Sequence, residues 1–98
     1  MEIKITGRHQ HLSAESQQYL REKLGKVAHL AERLEHAEVV VDATPDGERV
    51  EVIVQGPRGH QFVAHAEAAE LRTAIDACEA RLAAQIRAWK DKLSSHRG

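Results

Sequence analysis

Cysteine occurs once in this chain, at Cys78, and aromatic rings only at Tyr19, Phe62 and Trp89. A single thiol excludes an intramolecular disulfide. Three rings leave no spare stacking platform for reading single-stranded bases, because Phe62 and Trp89 fall at core periodicity. Nowhere does an apolar run approach the roughly 18 residues a transmembrane helix requires. The opening Met1-Glu2-Ile3-Lys4-Ile5-Thr6-Gly7 lacks the basic and apolar stretches of a signal peptide, so a cytoplasmic protein is expected. Repeats, low-complexity tracts and domain-separating linkers are also missing, and residues 1–98 read as one domain with an ordered core of about 1–94. No paired carboxylates, nucleophile–base spacing or phosphate-cradling glycine loop stands out. The chain is therefore not expected to be an enzyme, nor to carry a cofactor.

What is present is an uneven charge. The whole chain sums to −1, yet Arg81, Arg87, Lys90, Lys92 and Arg97 face a single acid, Asp91, in the last eighteen residues. That end carries +4, while residues 1–80 carry nine cations against fourteen acids, or −5. A cationic end on an acidic body is the layout of a protein that meets a polyanion with one defined surface. The alternative is that these cations complement the negative end of a helix dipole.

The pattern of side chains predicts the order β-α-β-β-β-α. Glu2 to Thr6 alternates as a half-buried strand closed by Gly7. Ser13 is the expected N-cap of a helix, with Leu12 before it and Glu15 in its first turn. Leu20, Leu24, Val27, Ala31 and Leu34 then recur at helical spacing, and Gly25 inside that helix costs about 1 kcal/mol relative to Ala. Glu38–Asp42 and Val50–Gln55 read as strands joined by the turn Thr44-Pro45-Asp46-Gly47. Gly56-Pro57-Arg58-Gly59 turns the chain again into a strand with Phe62, Ala64 and Ala66 on one side. A final helix from Glu67 or Glu70 to Leu93 carries Leu71, Ile75, Cys78, Leu82, Ile86, Trp89 and Leu93 at a helical period. It spans about 36 Å against about 20 Å for a six-residue strand, so its C-terminal half must overhang the sheet.

The expected fold is an α+β two-layer sandwich, with two parallel helices on one face of a four-stranded mixed sheet. A strand–helix–strand crossover makes the first two strands parallel, and tight turns make the others antiparallel. Both helices then run the same way and bring their C-terminal halves to one edge. On the last helix Arg87, Lys90, Ser94 and Arg97 form one solvent stripe, and Arg81, Gln85, Ala88 and Lys92 the stripe on the other flank. Tyr19, Lys23, Lys26, Leu30 and Arg33 form a comparable stripe on the first helix. A groove between two such helices suits a phosphate backbone. The interleaved Glu22, Glu32, Glu35 and Asp91 could instead form exposed i,i+4 pairs, which contribute little.

Other motifs carry less. The GxxG at Gly56–Gly59 joins two strands, whereas a KH loop joins two helices. His9-x-His11 has no further ligands at metal spacing and reads as a surface loop. Cys78 reads as a small core residue rather than a nucleophile, and His65 as structural.

Ile3-Lys4-Ile5-Thr6-Gly7, Leu12-Ser13, Lys23-Leu24-Gly25-Lys26, Ala64-His65-Ala66-Glu67 and Ala74-Ile75-Asp76 resemble the ribosome hibernation promoting factor family. The most specific part is Arg81-Leu82-Ala83-Ala84-Gln85-Ile86 with Lys90-Asp91-Lys92-Leu93. The family also carries the older label of sigma-54 modulation proteins. The resemblance implies a bacterial or plastid stress and stationary-phase factor with a double-stranded-RNA-binding-domain-like fold. It would sit on the small ribosomal subunit, against rRNA in the channel for mRNA and the A- and P-site tRNAs, and silence translation by occlusion. Lys23, Lys26, Arg81, Lys90 and Lys92 match basic family positions, and Arg87 and Arg97 extend that surface. Ala84 and Ala88 stand where relatives often place a cation, and Trp89 replaces a polar residue.

The resemblance is to the short form, without a C-terminal dimerisation domain. A monomer off the ribosome is expected, with no membrane or DNA partner, and ribosome pairing would need a separate factor. Two rival classes are compatible with the sequence. One is a protein-interaction regulator, such as a transcription-factor modulator, using the open sheet face; the other is a small enzyme or metal-binding domain.

Overall fold

Valine and alanine alternate with polar residues along three consecutive strands, and that period of two decides which face of the sheet is covered. The computed structural model describes residues 1–95, with side chains through Leu93. The elements are β1 (Glu2–Arg8), α1 (Ala14–Ala28), β2 (His36–Thr44), β3 (Gly47–Gln55), β4 (Gln61–Ala68) and α2 (Leu71–Ser95). The sheet order is β1-β2-β3-β4, with β1 parallel to β2 and the other pairs antiparallel. This is the expected mixed sheet with both helices on one face.

The register stacks the covered side chains into rows across the strands. Ile3, Ala37, Val54 and Phe62 form one row, and Ile5, Val39, Val52 and Ala64 the next. A third row, Gly7, Val41, Val50 and Ala66, lies nearest the start of α2. Leu20, Leu24 and Val27 of α1 and Ile75, Cys78, Leu82 and Ile86 of α2 close over them. Alanines on β4 let α2 lie close, so that the Cys78 Sγ comes within 3.5 Å of the Ala64 carbonyl oxygen. Burial pushes the Cys78 thiol up to about 11, so the thiolate is suppressed and the residue acts as core packing.

Local signals place the ends of the elements. Ser13 caps α1, its Oγ accepting from the Ser16 amide at 3.1 Å, with Glu15 in the first turn. Pro45 and Asp46 form the two-residue link between β2 and β3, and Thr44 pairs with Gly47. Gly47 has φ +150°, and a Cβ there would run into the backbone of Ala68. Only glycine fits this close approach.

Two boundaries differ from the periodicity. The apolar stripe continues through Ala31 and Leu34, but α1 ends at Ala28 with His29 as its C-cap. Fifteen residues make about 22 Å of helix, already the length of the seven-residue β1 beneath it. The chain must turn there to enter β2, which it does with Arg33 at φ +64° and the Glu35 amide bonded to the Gln55 carbonyl at 3.0 Å. Leu34 still reaches the core, so its helical spacing reflects burial rather than helix. At the other boundary β4 runs to Ala68 and α2 starts at Leu71. Glu67 is consequently a strand residue, paired with Arg49 at 3.4 Å across the open face.

The overhang of α2 is real. Its 25 residues span about 37 Å. Trp89 is half-buried against Phe62 and His60, whereas Leu93 is 48% exposed, so the apolar seam outruns the sheet.

Gly25 sits in α1 with nothing within 4 Å of where a Cβ would stand. No close approach requires glycine at this position. Gly25→Ala is expected to stabilise the domain by about 1 kcal/mol, raising the melting temperature by roughly 4–8 °C in a domain of this size. Thermal unfolding followed by circular dichroism checks it.

Candidate nucleic-acid interface

The groove between the helices is held by a polar clasp. Tyr19 is the sixth residue of α1 and Asp76 the sixth of α2, so the parallel helices are in register where they meet. The Tyr19 hydroxyl donates to Asp76 Oδ1 at 2.5 Å, and Lys23 Nζ lies 3.3 Å from the same oxygen. The Arg72 guanidinium sits 4.6 Å from the Tyr19 ring centroid, a cation–π contact. The hydrogen bond from Tyr19 holds the Asp76 carboxyl below its ordinary value, with Lys23 and Arg72 adding to the effect. Asp76 in turn holds both the Tyr19 and Lys23 titrations above theirs.

The structure divides the predicted cations between two sides of α2. Arg87 and Lys90 follow Asp76 by 11 and 14 residues, close to whole helical turns, and so continue the stripe that faces the groove. Lys26 is exposed in the last turn of α1 on the groove side. These three, with Lys23 above them, form a positive lower half of the groove. Lys23 is already engaged by Asp76, so the cations most open to a ligand there are Lys26, Arg87 and Lys90.

Arg81 lies on the other flank. Its Nη1 donates to the His65 carbonyl oxygen at 2.5 Å, and Gln85 Nε2 donates to that of Val63 at 2.6 Å. Both carbonyls belong to β4, a sheet edge, so the pair clips the helix to that edge and blunts it against further strand pairing. Arg21 of α1 does the same at the opposite edge, reaching the Ile3 carbonyl oxygen at 3.2 Å. Lys92 follows Arg81 by 11 residues and shares its flank. A ligand touching Lys90 and Arg81 together would have to wrap around α2. Arg97 lies outside the described residues.

The predicted α1 stripe is shortened by the early helix end. Leu30 and Arg33 are not helical and do not continue the line of Tyr19, Lys23 and Lys26. Arg33 instead joins Arg58, His29, His60 and Lys90 around an open concavity of about 1420 Å³ below the end of α1. Sequence reasoning missed this group. The one signal for it was the Gly56–Gly59 turn, where Arg58 is held at φ +59°. The His9-x-His11 loop is tied down at His9, whose Nδ1 lies 2.8 Å from Asp42 Oδ1. Among the described residues no polar or charged side chain is buried, and no three His, Cys, Asp or Glu residues cluster to hold a metal. No helix there is long and apolar enough to cross a membrane.

Residues 3–94 match the family described as sigma 54 modulation protein / S30EA ribosomal protein. The chain belongs to that family. It is 30% identical over 95 residues to a ribosome hibernation promoting factor of Pseudomonas putida, covering 97% of this chain and 92% of that one. It is 33% identical over 79 residues to one from Acidithiobacillus ferridurans, covering 78% of this chain and all of that one. The crystal structure of the Thermus thermophilus Protein Y N-terminal domain is similar at a TM-score of 0.83 and 28% identity, over 91% of this chain and 99% of that one. A ribosomal subunit interface protein from Coxiella burnetii gives 0.86 at 20% identity, over 93% and 99%, a likeness of fold alone. The family expected from the Arg81–Leu93 stretch is thus the family found, and this member keeps the sheet and the helix pair across its whole matched length.

The clasp has a pH signature. Because the folded Asp76 titrates below 3.8, its contribution to stability is complete above that value and is lost as pH falls through the folded value. Asp76→Ala is expected to lower the urea midpoint at pH 7. The gap to the parent should narrow steadily below pH 3.8; urea titrations of both proteins from pH 7 downward test this.

Proposed function

We propose that this protein is a ribosome hibernation factor that binds the small ribosomal subunit through the lower half of its interhelical groove. Bound there, in the channel for mRNA and the A- and P-site tRNAs, it silences translation by occupying space, without chemistry of its own. The setting is the cytoplasm of a stressed or stationary-phase bacterial cell. Family membership and the names of the relatives support the ribosome as partner. The observation that carries the surface assignment is the gathering of Lys26, Arg87 and Lys90 where α1 ends beside the longer α2.

The helix dipole suits Lys26, which stands in the last turn of α1, but it does not account for the two cations of α2. Its effect falls off within the last turn. Lys90 and Arg87 stand five and eight residues before the last helical residue, Ser95. Exposed ion pairs do not account for them either, since such pairs are worth little. Phosphate contacts do, and each adds salt sensitivity through counterion release. The protein is read as binding one copy per subunit, as a monomer off the ribosome, with ribosome pairing left to a separate factor. On the open sheet face Arg49 is tied between Glu51 and Glu67, and the largest exposed apolar side chain there is Val63. That face offers a protein partner less than the groove offers a polyanion.

Sucrose-gradient sedimentation with vacant small subunits tests the reading. Binding is expected to weaken steeply with salt, with a log–log slope on the order of −2 to −3 for about three phosphate contacts. Lys26→Glu with Arg87→Glu should abolish cosedimentation while leaving the melting temperature within about 2 °C of the parent, as exposed substitutions do. Unchanged cosedimentation of that double variant would place the binding surface elsewhere.

A further inference from the structure

Below the end of α1, the segment His29–Leu34, the turn Pro57–His60 and the overhanging part of α2 enclose the concavity described above. Its chemistry differs from that of the groove. His60 stacks on Trp89 with centroids 5.7 Å apart and planes 25° from parallel, and both meet Phe62 edge-on at 4.5 and 5.4 Å. Phe62 is buried, Trp89 half-buried and His60 exposed, so the three rings form a stack that emerges from the core and ends in an imidazole open to solvent. Arg33, Arg58 and Lys90 stand around it, with Glu32 as the one acid on the lining. The two arginines are also two of the three non-glycine residues with positive φ among those described, at +64° and +59°. Backbone held in this sparsely populated region clusters at binding sites.

A flat ring with one free face, beside three cations, is the chemistry of a single-stranded nucleotide site. The base stacks and the cations take its flanking phosphates. An acidic peptide would use the cations but leave the ring face without a matching partner. We propose that this concavity is a second RNA subsite, in which an unpaired nucleobase stacks on His60 over Trp89 while Arg33 and Arg58 hold the adjacent phosphates. The subsite adds to the reading of the protein as RNA-directed, and it rests on that reading for its biological context. It also revises the expectation that the chain has no stacking platform, because the fold recruits a histidine onto a half-buried tryptophan.

Trp89 is the single tryptophan of the chain, so its emission reports on this site directly. Titration of the whole protein with the single-stranded tetranucleotide rA4 at low salt is expected to quench Trp89 saturably. His60→Ala should weaken that binding by tenfold or more, as should Arg33→Gly combined with Arg58→Gly. The glycine pair should also melt at or above the parent temperature, since glycine accepts positive φ without strain; lost binding would then not be lost folding. Absence of saturable quenching would overturn the proposal. So would equal affinity for tripolyphosphate or for a glutamate-rich peptide, with no effect of His60→Ala, since that would describe an anion site without base stacking. Cosedimentation reports on the groove and Trp89 emission on the concavity, so either reading can fail while the other stands.

Discussion

Everything distinctive about this molecule follows from two helices of unequal length forced to run in the same direction over one sheet. The parallel β1–β2 pair sends α1 back along the strands, and the two antiparallel links bring β4 round to send α2 the same way. Side by side, the helices set the last turn of α1, which carries Lys26, on the same edge as Arg87 and Lys90 of α2. Tyr19 and Lys23 of α1 meet Asp76 of α2 and set the register of the pair. Because α1 stops after 15 residues and α2 continues for 25, the lower part of α2 has no helix beside it. The concavity lies beside that unmatched stretch, and the positive half of the groove lies where α1 gives way to it.

The arginines fall into distinct roles by position rather than by type. Arg21 and Arg81 spend hydrogen bonds on the two free sheet edges, holding helices to strands and blocking edge pairing. Arg72 lies over Tyr19 and supports the clasp. Arg49 bridges Glu51 and Glu67 across the open face. Arg87 continues the groove-facing stripe, and Arg33 and Arg58 line the concavity. A cation count would treat them alike, whereas their partners separate scaffold from surface.

Much of the scaffold was legible in the residues. The N-cap at Ser13, the alternation of Val50, Val52 and Val54, the Pro45-Asp46-Gly47 turn and the long stripe of α2 each act through local geometry, which a sequence carries directly. The end of α1 was not legible, because Leu34 is buried and Ala31 half-buried from a loop at what happens to be helical spacing. Burial leaves the same apolar mark whichever backbone delivers it. Of the site, Lys26, Arg87 and Lys90 could be placed from helical period and strand order. That Lys23 would be engaged by Asp76, and Arg81 by β4, depends on partners 53 and 16 residues away.

By itself, then, the sequence determined the order of elements, the parallel helix directions, the excess of cations at one end and the family. These rest on periodicity, turn chemistry and handedness, all of which act over a few residues. The tertiary structure alone decided which cations are engaged by a partner, at the clasp or at the sheet edges, and that His60 comes to lie on Trp89. Those outcomes depend on the difference in length between two helices and on where loops close against each other, and no run of neighbouring residues encodes such a difference.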